Sequence, residues 1–114
     1  MANLDSTFNA LADSTRRAVI GALLREPRRA GELAQEVGMS APALSRHLRV
    51  LRRASLITEQ SIESDARVRV YRLNPNALAP LRSWLEEAAA LWEEQLEAFK
   101  AYAERSHRRP GASK

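Results

Sequence analysis

The 114 residues contain no cysteine, which excludes a disulfide framework, a thiolate metal site and a nucleophilic thiol together. Two histidines, His47 and His107, are too few for a multi-histidine zinc or iron site within one chain. Four glycines leave no phosphate-cradling loop, and no nucleophile–base pair or paired carboxylates mark a catalytic centre. No apolar run approaches the ~20 residues needed to span a bilayer. The opening stretch has neither the basic start nor the apolar core of a secretion signal. These absences lead to the expectation of a cytoplasmic protein that is not an enzyme and has no cofactor, no metal and no membrane contact.

Against those absences stands an ordinary globular balance of 45% hydrophobic and 28% charged residues, long enough for one compact domain. The net charge of +4 is concentrated in one region. Residues 41–73 carry Arg46, Arg49, Arg52, Arg53, Arg67, Arg69 and Arg72 against Glu59, Glu63 and Asp65, whereas the segments on either side balance. A local excess of this kind suits a polyanion, although it also suits a plain solvated face.

The pattern of breakers divides the chain. Leu4, Phe8 and Leu11 fall at helical spacing, and Asp13-Ser14 interrupts the run with two N-cap residues, so helices are predicted over 5–11 and 14–25. Pro27 ends the second. A third helix covers 30–37 and closes on Gly38, where a left-handed cap is expected. Ser40 opens a fourth as N-cap, with Pro42 in its first turn, and this helix runs to about Ala54. Leu56–Ile62 and Arg67–Leu73 read as a β-hairpin around Glu63-Ser64-Asp65-Ala66. Asn74-Pro75-Asn76 breaks the second strand, and one long helix is predicted from about Pro80 to Ser106.

The fold class expected from this order is mainly α with a small β-hairpin, a winged helix-turn-helix. One domain would cover 1–106, with the helix-turn-helix at 30–54, the wing at 56–73 and a C-terminal dimerisation helix at 80–106. Residues 107–114 would form a flexible tail.

In the fourth helix, Leu48 and Leu51 lie within about 40° of Leu44, while Arg46, Arg49 and Arg53 lie opposite. Such a helix suits a major groove, with base contacts at its start and phosphate contacts later. Ser45 stands at the margin of the two faces. His47 lies to one side of the Leu stripe, either half-buried or reaching a phosphate. Arg67 and Arg69 share one face of the wing, where they could reach the flanking minor groove or backbone.

Three segments also resemble a known family. Leu11-Ala12-Asp13-Ser14-Thr15-Arg16-Arg17, Glu32–Ser40 and Leu44-Ser45-Arg46-His47-Leu48-Arg49-Val50-Leu51 are similar to the ArsR/SmtB winged-helix repressors of bacteria, and the likeness extends from about Leu4 to Leu73. It implies a homodimeric repressor on a palindromic operator, often upstream of its own gene. It places base reading on Ala41, Pro42, Ser45 and Arg46, although a Gln is common in the family where this chain has Ala41. The family's Cys pair would fall on Arg29 and Gly31, and its C-terminal Asp/His site has no Asp or His between 80 and 106. The resemblance therefore points to the cysteine-free branch, whose effector is unknown. The candidate DNA contacts are Ser40, Ala41, Pro42, Ser45, Arg46, His47, Arg49, Arg53, Arg67 and Arg69.

In the last helix, Leu81, Leu85, Ala88, Trp92, Leu96, Phe99 and Ala103 follow steps of three and four, flanked by Trp84 and Leu91. A stripe this long calls for cover. A second copy is the expected cover, giving a homodimer seam of Leu81, Leu85, Trp92, Leu96 and Phe99 joined by Leu4 and Phe8 of the first helix. Packing on the chain's own first helix, or an aromatic effector pocket at Trp84 and Trp92, are the alternatives. The function expected is sequence-specific regulation of double-stranded DNA. A winged-helix module that binds an acidic protein partner is the competing reading.

Overall fold

The computed structural model describes residues 3–62 and 65–112. Side-chain capping starts the first two helices. Asn3 Oδ1 accepts the Ser6 N–H at 2.8 Å and opens α1, Leu4–Leu11; Asp13 Oδ1 accepts the Arg16 N–H at 3.0 Å and opens α2, Ser14–Arg25. Then come β1 (Arg28–Arg29), α3 (Ala30–Val37), α4 (Ala41–Arg53), β2 (Ile57–Ile62), β3 (Asp65–Leu73) and α5 (Ala79–Ala112). By its contacts the chain divides into two compact units, Met1–Pro80 and Leu81–Lys114. The two units are described in turn.

In the first unit α2 is central, packed against α1, α3, α4 and β3. Val19, Leu33, Leu44, Leu51 and Leu56 are fully buried, so the core draws on α2, α3, α4 and the start of the hairpin. This core fixes the angle between α3 and α4. The turn between them needs Gly38, whose φ of 72° is left-handed. Its N–H reaches Gln35 O at 3.3 Å, while Met39 N–H reaches Ala34 O at 3.0 Å, which closes α3 in a Schellman motif.

α4 ends the same way without a glycine. Ser55 takes φ 62°, Leu56 N–H reaches Leu51 O at 3.0 Å, and Ser55 N–H reaches Arg52 O at 2.9 Å. A left-handed non-glycine residue costs about 1–2 kcal/mol. Asn74 offsets this by donating its side-chain amide to Ser55 O and its backbone N–H to Leu56 O.

The sheet departs from the expected simple hairpin. It has three antiparallel strands in the order β1-β3-β2, with Arg28 opposite Tyr71 and Arg29 opposite Val70. Two residues carry no readable period, and they count as a strand only because β3 supplies the hydrogen bonds. β2 pairs with β3 from Ile57–Leu73 to Ser61–Arg69, with a bulge between Ser61 and Ile62. Leu56, expected in the strand, is the last residue of the α4 cap. Glu63 and Ser64 of the expected turn lie outside the described residues, and Asp65 belongs to β3.

In the second unit α5 is one continuous helix to Ala112, longer than the expected end at Ser106. Pro110 removes one backbone donor, but in the final turn, so the helix before it keeps its bonds. Trp84, Leu85, Leu91, Trp92, Leu96, Phe99 and Tyr102 are all exposed large apolar residues. At 100° per residue they form a band about 140° wide, with Glu86, Glu93, Glu94, Glu97 and Glu104 outside it. Tyr102 joins Trp84 and Leu91 along one border of that band. Among the described residues, no helix is long and apolar enough to cross a membrane.

Candidate nucleic-acid interface

Helix α4 presents two faces, and local sequence explains both. Ser40 Oγ accepts the Ala43 N–H at 3.3 Å, and Pro42 sits in the first turn, where its missing donor loses nothing. Leu44, Leu48 and Leu51 are buried in the core and hold the helix in place. The residues opposite are exposed: Ser45, Arg46, Arg49 and Arg53, with Ser40, Ala41 and Pro42 at the leading end. The face rich in Arg therefore points away from the core.

The next layer joins α1, α2 and α4. Arg16 donates from Nε to Ala10 O at 2.6 Å and from Nη2 to Asn9 O at 3.2 Å; Arg17 donates to Leu11 O at 2.8 Å. The last carbonyls of α1 are thereby capped by cations, which also suits the helix dipole. Arg16 Nη1 lies 3.3 Å from His47 Nδ1. A guanidinium can only donate, so Nδ1 is the acceptor of that contact. Asp13 Oδ1 is 3.9 Å from the same ring nitrogen. The Arg16 backbone N–H holds the Asp13 carboxyl below its ordinary value. His47 is thus half-buried in a junction that orients α4, and Arg46 lines the shallow cleft beside it with Arg16 and Val50.

The wing is tied to α4 through a residue that sequence reasoning counted only as an opposing charge. Glu59 accepts from Tyr71 Oη at 3.0 Å and pairs with Arg52 at 3.0 Å and Arg69 at 3.2 Å. Glu59 faces Tyr71 across the β2–β3 ladder, and Arg69 lies two residues before Tyr71 on the same face. Burial raises the Tyr71 phenol above its ordinary value, and the Glu59 hydrogen bond adds to it. Arg69 is therefore held by Glu59 and is less mobile than an isolated wing arginine, while Arg67 is exposed. The only signal for Glu59 was the strand register, which depends on the turn.

Arg52 and Arg69 converge on one carboxylate, and Arg25 and Arg28 converge on Glu36. Arg46, Arg49 and Arg53 have no such acid partner among the described residues. Of the expected seam, Leu4 and Leu81 are half-buried, whereas Phe8, Leu85, Trp92, Leu96 and Phe99 are exposed. Among the described residues no three His, Cys, Asp or Glu side chains come together as a metal site.

The same helix-turn-helix occurs in known proteins. The sequence profile described as "Bacterial regulatory protein, arsR family" matches residues 13–59, which run from the Asp13 cap to Glu59. The HTH-type transcriptional regulator Rv2034 of Mycobacterium tuberculosis is 43% identical over 82 residues, covering 72% of this chain and 74% of that protein. The chain belongs to the ArsR family.

As an ArsR-family member it is a DNA-binding transcriptional regulator, from a family of regulators and not of enzymes. The transcriptional repressor SdpR of Bacillus subtilis is 28% identical, covering 72% of this chain and 88% of that protein. An ArsR-like transcriptional regulator from Rhodococcus sp. RHA1 shares the fold at a TM-score of 0.72 and 32% identity, covering 89% of this chain and 90% of that one. The winged helix-turn-helix expected from the order of elements is therefore the fold, with a third short strand added to the wing.

Proposed function

We propose that this ArsR-family chain acts as a homodimeric repressor of its own or an adjacent operon, reading a palindromic operator without metal as its signal. The observation that supports it best is the two-faced α4: a buried Leu stripe backing Ser45, Arg46, Arg49 and Arg53 in the exposed position. Ser40, Ala41, Pro42, Ser45 and Arg46 enter the major groove first, Arg49, Arg53 and His47 meet phosphates, and Arg67 and Arg69 extend the contact along the flank. A dyad brings two such helices to half-sites about one turn (~34 Å) apart. The apolar band of α5, joined by Leu4 and Phe8, is the surface that a second copy covers.

Arg46→Ala tests the base-reading role. It is expected to cost about 1–3 kcal/mol of operator affinity and to narrow the gap between operator and random DNA, with helical content unchanged. Electrophoretic shift with both duplexes measures it; an undiminished gap would remove Arg46 from the base-reading set.

The metal-independent part rests on chemistry. Arg29 and Gly31 offer no soft donor, and α5 has no Asp and a single His, His107. Zinc, cadmium and arsenite are expected to leave the protein on DNA. Calorimetry showing stoichiometric, tight metal uptake coupled to operator release would overturn this part.

A further inference from the structure

We propose that the cleft between the first turn of α3 and the wing is a binding site for a phosphate group. β1 stops at Arg29, opposite Val70, while β3 extends past it toward Val68 and Arg67. The chain turns away there into α3, leaving a cleft of about 520 Å³ lined by Arg29, Glu32 and Gln35 on one side and Arg67 and Arg69 on the other. Three guanidinium groups from two elements border one space.

The single acid in that lining is already engaged, since Glu32 Oε1 accepts the Arg29 backbone N–H at 2.8 Å. Arg69 is steadied by Glu59 at 3.2 Å and keeps further N–H donors to offer. Two local features admit an oxyanion. The N-cap of α3 is Arg29, which has no acceptor atom with which to cap the first-turn N–H groups. Gly31 has open space where a Cβ would stand, so nothing obstructs approach to that turn. Planar forks of donors match the oxygens of a phosphate better than a point cation does.

The phosphate can belong to the backbone of bound DNA or to a small molecule. The first source rests on the DNA-binding reading and the second does not.

The test uses the full chain, wild type and Arg29→Gln, a position that is exposed and outside the DNA contacts assigned above. In one arm inorganic phosphate is titrated against chloride at matched ionic strength, and backbone amide resonances are followed. In the other, duplex affinity is measured against salt concentration. Saturable shifts at Gly31, Glu32 and Val68 that vanish in the variant establish a site for a free phosphate. A log–log salt slope lowered by about 1 in the variant, equally on operator and random DNA, establishes a DNA-backbone site. Neither effect, in a variant whose amide spectrum is otherwise native, overturns the proposal. If wild-type protein showed no salt-dependent DNA affinity but still gave the phosphate shifts, the DNA reading would fail and the site would stand.

Discussion

Replacing Trp92 with glutamate is expected to convert a dimer into a monomer and to weaken operator binding about a hundredfold. The reasoning turns on where the indole sits in each state. In a single chain Trp92 is 64% exposed, so a monomer exchanges one solvated side chain for another and changes stability by no more than about 0.5 kcal/mol. In a seam the same substitution buries a carboxylate beside Glu93 and Glu94, at a cost of about 3 kcal/mol or more, roughly a hundredfold. Operator affinity follows because two half-sites are read only when the recognition helices are joined. Light scattering on both proteins decides it. Wild-type mass near that of one 12.8 kDa chain would refute the dimer, and a dimeric Trp92→Glu protein would place the seam elsewhere.

Leu51→Ala is expected to lower stability by about 2–5 kcal/mol, enough to threaten a unit whose total stability is on the order of 5–15 kcal/mol. Leu51 is fully buried, its carbonyl accepts the Leu56 N–H that ends α4, and its side chain belongs to the Leu stripe. Its loss leaves a cavity under the recognition helix and loosens the turn into the wing. For a unit of this size the melting temperature is expected to fall by about 10–30 °C. Arg49→Ala, two residues away on the exposed face, is the control, with stability within about 0.5 kcal/mol of wild type. Thermal unfolding followed by circular dichroism separates the two. Equal melting temperatures would mean that α4 is not held by its Leu stripe.

These two experiments probe features that differ in how far the sequence reveals them. The bounds of α2 and α3 follow from Asp13, Pro27 and Gly38, because caps and breakers act on the backbone within a few residues of themselves. The two faces of α4 follow from its 3.6-residue period, which puts Leu44, Leu48 and Leu51 on one side whatever the rest of the chain does. The apolar band of α5 is legible in the same way, as is the concentration of arginine between 41 and 73.

Tertiary structure alone decided the rest. Arg28–Arg29 became a strand because β3 arrived beside it, and Ser55 took a left-handed conformation because Asn74 was there to hold it. Glu59 became the hub of the wing because register set it opposite Tyr71 and beside Arg52 and Arg69. The same arrival of β3 next to α3 made the arginine-lined cleft. Helix periods and caps are local properties of the backbone, so a single stretch of sequence specifies them. Strand register, ion-pair choice and cleft shape depend on which distant residues meet, and only the packed core brings those residues together.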